Sequence, residues 1–551
     1  MKLRFDSKTE GSALYEGALD VVRTLHDHGF AACFAGGCVR DALRGAPAKD
    51  IDIATDATPE QVAGLFPAQS LGVGKSFGVM LVLRGKIPYD VATFRTDGGY
   101  QDGRHPDSIA YDTAEHDAQR RDFTVNALFY DPLGERLIDY VGGEADLRAG
   151  ILRTVGDPLS RFREDRLRML RAVRFATVCG WRIDPATWRA ICREAPALAC
   201  VSAERIRSEF LRMLCEAPKP SEAMNLLADC GLLAVFLPEA LALRGCLQDP
   251  AWHPEGDVWA HTLKMLDLAP APRSEALALA VLLHDIGKPA TLAVSRKPDG
   301  SPWYRTPGHA EAGAKMAPGI LDRLKVSRDL REAVTIAVAN HMQFVSLPQM
   351  RRATVRQMLG RPTIALELEL HRLDCLSSHA KLDLYDLAQR YLDEFRQEPV
   401  LPPRVVTGDD LLALGYRSGV AMGKVLKTLY MRQLDGASRE ELVESAIAQA
   451  PVHPAAPRAI AFAYAPDAPF PLKTLWERLC KTPGWDVTLI VLPGRYWKPE
   501  PEAGRKVLRL AGDCAGNVVW PAAGRYEAMI APEAAALPGE LRASARRLLR
   551  V

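Results

Sequence analysis

Three carboxylates in the first hundred residues have the types and spacing of a metal site. The run KDIDIATDATPEQ, residues 49–61, sets Asp50 and Asp52 two apart in what reads as a strand. Residues i and i+2 of a strand face the same way, so the two carboxylates would stand side by side. Like charges that close raise each other's pKa unless a cation lies between them. Hard oxygen ligands suit magnesium, which takes one or two carboxylates together with substrate phosphates. Just upstream, in AGGCVRD, Gly36 and Gly37 close one strand and Val39 opens a helix. Paired glycines admit close backbone approach, a helix start favours phosphate, and Arg40 adds a charged donor. The combination describes a nucleoside triphosphate with its metals; the plainer reading is an exposed strand end beside an ordinary strand–turn–helix corner. Asp90, in YDVATFR, either supplies a third carboxylate across a sheet or pairs with Arg95.

A second constellation is built on imidazole. Five of the 12 histidines fall between His253 and His341, in HPEGDVWAHTL, LLHDIGKP, PGHAEAG and ANHMQF, and RLDCLSSH follows at 372–379. A lone histidine on an apolar helix is usually a core residue. Here acid and imidazole recur on successive helices, and His284 and Asp285 are adjacent. Mixed ligation of this kind suits a transition metal or magnesium, which would make a hydrolytic nucleophile of its bound water. Between the two constellations lies RFREDRLRMLRAVRFA, residues 161–176. On one continuous helix Asp165 and Arg168 would be neighbours, and spacing alone gives a surface ion pair worth ~0–1 kcal/mol.

The elements that must position these groups can be read in outline. Residues 12–28 read as an amphipathic helix, 30–36 as a buried strand, VRDALRG as a helix with a glycine stop, IDIAT (51–55) as a second strand, and GVMLVLRG and PYDVATF as further strands. From about 146 to 245 the chain is helical and arginine-rich, and from 246 to about 400 it is helical and histidine-bearing. Pro402 and Pro403 mark a boundary, GDDLLALGYRSG opens another helical segment, and PVHPAAPRA (451–459) reads as a linker. The last segment has a strand-like VTLIVL and a basic end expected to be helical.

Composition sets limits on all of this. With 551 residues, 48% hydrophobic and 25% charged, the chain fits three to four ordinary globular domains. A formal net charge of +2 excludes a global polycation, so any nucleic-acid surface is a local patch. The 11 cysteines are odd in number and form no CxxC pair, against a disulfide framework or cysteine zinc site and in favour of a reducing cytoplasm. MKLRFDSKTEGS shows no signal-peptide core, and no stretch reaches the ~20 apolar residues of a membrane span. The expectation is a soluble, cytoplasmic protein with no membrane partner.

GGCVRDALRG and KDIDIAT resemble the signature of the tRNA nucleotidyltransferase and poly(A) polymerase family, with its polymerase-beta-like head. Other motifs follow in order: DVATFRTDGGYQDGRHP (90–106) resembles the segment with the third acid and a mobile loop, RRDFTVNALFYDP (120–132) the ribose motif, and residues 138–176 the neck. The resemblance implies that Asp50, Asp52 and Asp90 are catalytic, with Mg2+ on Asp50 and Asp52. It implies nucleotide contacts from Gly36, Gly37, Arg40, Arg121, Asp122 and Asn126, although a buried polar network would use the last three equally well. EDRLR matches the EDxxR motif that reads the incoming base without a template. An aspartate accepts from the amino group of cytosine or adenine while an arginine donates to the ring nitrogen, and uracil and guanine turn a carbonyl toward the carboxylate instead. Arg161, Arg163, Arg171 and Arg174 are open to triphosphate, the tRNA backbone or a solvated face.

The histidine pattern resembles the HD phosphohydrolase superfamily, with His261, His284, Asp285 and Asp374 as ligands of a divalent metal of the magnesium, manganese, nickel or iron class. His253, His309 and His341 match additional histidines. Related domains act on 2′,3′-cyclic phosphates and 2′-phosphates. The expected fold is multidomain: an α/β nucleotidyltransferase head (1–145), an all-α neck and body (146–245), an all-α HD domain (246–400), a helical tail (401–452) and a small α/β C-terminal module (460–551). The expected function is addition of C, C and A to the tRNA 3′ end from CTP and ATP, with HD hydrolysis beside it. The alternatives are a bacterial poly(A) polymerase, a CC- or A-adding enzyme, and an HD hydrolase whose head merely binds RNA. The sequence leaves oligomeric state open.

Overall fold

The computed structural model describes residues 3–5, 13–67, 70–71, 78–98, 109–395, 400–414 and 416–449, and beyond these the strands 458–464, 485–491, 506–509, 511–512, 518–519, 528–531 and 548–550. Residues 99–106 of the expected mobile loop lie outside the described residues. Contacts divide the chain into two units, residues 1–344 with 365–382, and 345–364 with 383–551.

The first unit begins with helix α1 (Ala13–Asp27), whose buried face is Ala18, Leu19, Val21, Val22 and Leu25. It packs on a seven-stranded mixed sheet of β1 (Ala32–Ala35), β2 (Asp52–Thr55), β3 (Ser70–Leu71), β4 (Val79–Arg84), β5 (Ile87–Thr93), β8 (Leu128–Asp131) and β9 (Arg136–Asp139), in the order β3-β4-β5-β2-β1-β8-β9. A separate ribbon, β6 (Arg95–Asp97) with β7 (Ile109–Tyr111), precedes helix α4 (Ala114–Gln119). Helix α2 (Gly37–Leu43) leaves β1 through Gly36, which is left-handed at φ 73. Helix α3 (Pro59–Leu65) starts in a reciprocal capping box between Thr58 and Gln61. Phe34, Ile53, Val82 and Tyr130 fill the core between sheet and helices.

Helix α5 (Gly143–Ala149) leads to the neck. Helix α6 (Pro158–Glu164) is capped by Asp157, and helix α7 (Leu167–Cys179) runs on to a left-handed Gly180. The expected continuous helix is broken between them: Asp165 is extended at φ −143, ψ 106. Helices α8 (Pro185–Glu194) and α9 (Ala203–Glu216) follow. The packing has no break at 245, because Leu243, Cys246, Val258 and Trp259 belong to one core running from Phe123 to Leu373. Its later part is formed by the helices Val258–Leu268, Glu275–Leu283, His309–Arg323, Arg328–Asn340 and Ile364–Ser377.

The second unit comprises residues 345–364 and 383–551. It holds the helices Arg352–Leu359, Asp383–Glu394, Val420–Leu434 and Arg439–Ala448 and a five-stranded parallel sheet. The sheet order is Lys506–Arg509, Trp485–Val491, Arg458–Tyr464, Ala528–Ala531, Leu548–Arg550. In chain order that is third, second, first, fourth, fifth, the open arrangement of doubly wound α/β folds. Two local expectations are corrected here. Arg458 and Ala459, expected in a linker, open the first strand, because the apolar run that follows pairs on both sides. Leu548–Arg550, expected to end a helix, form a strand parallel to Ala528–Ala531.

Candidate functional site

Two sites form in the first unit. At the first, Asp52 opens β2, and Asp50 lies two residues before the strand instead of inside it. The parallel register Ile53↔Val91 sets Asp52 beside Asp90 on the neighbouring strand. Burial first, then the charges of Asp50 and Asp90, raise the Asp52 carboxyl to about 6. Burial and Asp50 also raise Asp90. Among the described residues none of the three has an ion pair, and Asp90 does not pair with Arg95. Three converging carboxylates with no cationic side chain between them fit a divalent cation.

Asp50 and Asp52 lie on the wall of a cleft of about 520 Å³ shared with Gly36, Gly37 and Arg40 and, from the neck, Asp165, Arg168, Arg171 and Arg174. Asp90 is one strand removed and does not line it. Eight arginines and four aspartates line it, and each arginine is already paired with a carboxylate, so a triphosphate would be met by their remaining N–H groups. Gly36 is at φ +73, which favours glycine, and a Cβ there would come within 2.8 Å of Arg121 Nη1 and displace the guanidinium.

The cleft floor is the buried network that the spacing of Arg121, Asp122 and Asn126 allowed. Arg40 Nη1 donates to Asn126 Oδ1 at 2.7 Å, Asn126 Nδ2 donates to Asp122 Oδ1 at 3.0 Å, and Arg171 donates to Asp122 Oδ2 from Nε at 2.9 Å and Nη2 at 2.7 Å. Burial works against the Asp122 charge, but Arg171 and Asn126 outweigh it and hold the carboxyl at about 2. Arg121 pairs with Asp117 and donates to the Asn126 carbonyl at 3.1 Å. Arg174 donates to Glu209 at 2.5 Å, and burial lowers its pKa. Arg171 and Arg174 therefore tie neck to head and to α9 as well as facing the cleft.

The Asp165–Arg168 ion pair is absent. Because the helix breaks at Asp165, the two side chains have separate anchors. Asp165 Oδ2 accepts from Arg205 Nη2 at 2.7 Å and Oδ1 from the Leu167 amide at 3.1 Å. Arg168 Nη1 donates to Glu164 at 2.5 Å and to the Arg161 carbonyl at 3.0 Å. Asp165 keeps spare lone pairs and Arg168 spare N–H groups, and both line the cleft. Glu164, Arg205 and Glu209 were missed as site residues. Glu164 stood inside the motif, whereas only tertiary packing marks the other two.

At the second site four histidines are fixed through Nδ1. His284 bonds the Val281 carbonyl at 2.8 Å, His309 that of Thr306 at 2.8 Å and His341 that of Val338 at 2.7 Å. A carbonyl only accepts, so each Nδ1 carries the proton and each Nε2 presents a lone pair. Glu255 takes the same part for His261, at 2.6 Å. The Nε2 atoms converge: His309 and His341 lie 3.1 Å apart, His261 is 3.2 Å from Asp374, and His284 is 3.1 Å from Asp285. His309 and His341 approach the other Asp285 oxygen at 3.5 and 3.8 Å.

The buried Nε2 atoms of His261 and His284 have no hydrogen-bond partner. Lone pairs facing carboxylates and one another fit a cation among them. Without one, a proton takes its part at His261: burial opposes the charge, but Asp374 and Glu255 raise the pKa to about 9. Burial and the neighbouring His284 push His341 down to about 4. Against burial, His284 and Lys288 hold Asp285 well below the usual carboxylate range.

His253 is brought to Glu255, at 2.9 Å, and not to Asp285. Lys288 pairs with Asp285 at 2.6 Å and donates to Gln248 at 2.6 Å. Glu255, Lys288 and Gln248 went unread, although HPEGDVWAHTL and LLHDIGKP contain the first two. Gly287 lets the turn after Asp285 pass close to the next helix, since a Cβ there would meet the His309 carbonyl at 2.2 Å.

A carboxylate-bearing head joined to an arginine-lined neck, followed by a helical histidine–aspartate cluster, defines a nucleotidyltransferase fused to an HD domain. Family models match in that order: the Poly A polymerase head domain at residues 32–153, the probable RNA and SrmB-binding site of polymerase A at 180–243, and the HD domain at 258–378. The CCA-adding enzyme of Geobacillus stearothermophilus is 40% identical over 294 residues, 50% of this chain and 72% of that one. The CCA-adding enzyme of Geobacillus thermodenitrificans is 44% identical over 232 residues, 42% of this chain and 56% of that one. The crystal structure of Bacillus stearothermophilus CCA-adding enzyme in complex with CTP aligns with a TM-score of 0.60 at 26% identity, covering 80% of this chain and 98% of that one. The chain belongs to the family of the CCA-adding enzymes. Both the head and the HD domain are of metal-dependent families. Among the described residues no helix is long and apolar enough to cross a membrane.

Proposed function

We propose that the chain adds C, C and A to the 3′ end of tRNA from CTP and ATP. The observation that carries this reading is the separately anchored Asp165 and Arg168 in one cleft with Asp50 and Asp52. Magnesium on Asp50 and Asp52, with Asp90 beside them, would lower the pKa of the RNA 3′-hydroxyl and neutralise charge on the departing pyrophosphate. The chain's residues do the rest by positioning. Arg40 and Arg121, beside the Gly36–Gly37 turn, receive the triphosphate, and the Asn126–Asp122–Arg171 network holds the sugar side of the cleft. Asp165 accepts from the amino group of cytosine or adenine and Arg168 donates to the ring nitrogen. Uracil and guanine would set a carbonyl against the carboxylate, leaving two acceptors unpaired. No nucleic-acid template is required.

The histidine cluster supports a second activity, carried by the unpartnered Nε2 atoms of His261 and His284. A divalent metal there, of the magnesium, manganese, nickel or iron class, would lower the pKa of a bound water. Asp374, Asp285 and the four Nδ1-anchored histidines orient that position. The reaction is hydrolysis of a 2′,3′-cyclic phosphate or 2′-phosphate: the water oxygen bonds to phosphorus, one phosphorus–ribose oxygen bond breaks, and the proton passes to the ribose oxygen.

The test is a gel assay with magnesium on tRNAs ending before CCA, after C and after CC, each given CTP, ATP or both. All three should reach a full CCA end and stop. Long A-tails on unrelated RNA would mean a poly(A) polymerase, and addition of only C or only A a partial enzyme. Asp285→Ala should remove phosphoester hydrolysis and leave nucleotide addition intact; loss of both in a folded variant would refute the two-site reading.

A further inference from the structure

Four exposed apolar side chains lie on two segments that adjoin the histidine cluster in the chain. Leu247, Trp252, Val294 and Trp303 are all exposed, Trp252 by 65% and Trp303 by 39%. Val294 and Trp303 sit on a two-stranded arm, Ala293–Arg296 with Pro302–Arg305, and both feet of the arm stand on the cluster. The first strand follows the short helix that begins at Lys288, the partner of Asp285. The second runs into Thr306, whose carbonyl holds His309.

The loop bearing Trp252 is fastened to the same arm. Lys297 Nζ pairs with Asp249 at 2.8 Å, and the Asp249 carbonyl accepts the amides of Trp252 and His253, each at 3.0 Å. Two exposed indoles are thereby held on tied segments that run directly into residues of the imidazole–carboxylate cluster.

The chemistry of the arm favours RNA. Ser295↔Trp303 and Ala293↔Arg305 are paired, so Trp303 and Arg305 share one face, and the Arg305 guanidinium stacks on the indole 4.3 Å from its centroid. Arg305 is exposed and among the described residues has no ion pair, whereas Arg296, opposite Pro302, lies on the other face of the ribbon. Aromatic faces for bases with an unneutralised arginine for phosphate make a single-strand platform. A protein-binding patch would not need a free cation beside a site suited to phosphoester hydrolysis.

We infer that this arm and the Trp252 loop bind the last few nucleotides of a single-stranded RNA, and that the HD site therefore works on polynucleotide ends in preference to free nucleotides. The inference rests on the hydrolytic reading of that site.

The experiment compares a hexaribonucleotide ending in a 2′,3′-cyclic phosphate with the corresponding cyclic mononucleotide, on the full chain and on Trp252→Ala, Trp303→Ala and Trp303→Phe. Stacked bases are worth enough that each alanine variant should raise KM for the hexanucleotide by roughly 5- to 100-fold. The mononucleotide KM should stay within about twofold, and phenylalanine should restore most of the loss. Equal losses on both substrates would mean that the arm merely shapes the site, and no loss on either would leave the surface to a protein; both results overturn the inference. A parallel arm uses a hexanucleotide with 4-thiouridine beside the terminal phosphate, photo-crosslinked and mapped by mass spectrometry. If the wild type hydrolyses neither substrate, the hydrolytic reading fails and the crosslink alone decides. Adducts on residues 247–253 or 293–305 would support the platform, and their absence would overturn it.

Discussion

Asp52→Asn should stabilise the metal-free protein while abolishing nucleotide addition. The Asp52 carboxyl rises from an ordinary 3.8 to about 6, through burial first and then Asp50 and Asp90. Each pKa unit is ~1.36 kcal/mol, so roughly two units set an upper bound of ~3 kcal/mol. Screening by water reaching an open cleft brings the expected gain to about 1–2 kcal/mol. The sign follows from linkage. Above pH about 6 the carboxylate is ionised in both states, and the folded state bears the full repulsion. Below about pH 4 it is protonated in both, and the penalty is gone. The advantage of asparagine is therefore complete at neutral pH and lost on acidification through the interval between the two values. Urea unfolding in chelator at pH 7.5 and at pH 5 measures it. Added magnesium should then stabilise the wild type more than the variant, closing the gap. Equal or lower stability of the variant at pH 7.5 in chelator, or a gain that grows as pH falls, would refute the reasoning.

Arg205→Gln removes the 2.7 Å partner of Asp165 and leaves that carboxylate held by one amide. Discrimination of CTP over UTP, measured as the ratio of kcat/KM in single additions, should fall on the order of tenfold; an unchanged ratio would show that Arg205 does not position the base reader. Glu255→Gln weakens the hold on the Nδ1 atoms of His261 and His253, and metal affinity of the HD site, titrated against a competing chelator, should drop roughly 10- to 100-fold. Gly287→Ala forces a Cβ against the His309 carbonyl; the helix bearing His309 must move, so HD-site metal binding should be lost while CCA addition by the same preparation persists.

Much of the first site was legible because its parts are local. Gly36, Gly37 and Arg40 share one strand–helix corner, Asp50 and Asp52 are two residues apart, and EDRLR is a contiguous motif. The imidazole–carboxylate cluster was legible for a similar reason: His284 and Asp285 are adjacent, and each remaining histidine falls at or near a helix end in a short motif. The local geometry inferred from the same spacings was less secure. Asp50 was expected inside the strand and lies before it, because β2 begins where β1 can pair with it, at Ala35↔Asp52. Asp165 and Arg168 were expected side by side on one helix, and the break at Asp165 gives each a separate partner.

The sequence by itself determined the kinds of groups present and the domain order that the family models repeat. Hydrophobic periodicity and short motifs act within a few residues and survive without knowledge of the rest of the chain. Only the tertiary structure decided which charges neutralise one another. Arg205 reaches Asp165 across 40 positions, and Arg171 reaches Asp122 across 49. Such pairs carry no local signal, because helices pack through buried apolar faces and the polar groups they bring together follow from that packing. The parallel order of the C-terminal strands was hidden for the same reason: pairing between strands separated by long connections is fixed by the whole sheet and not by any one run of residues.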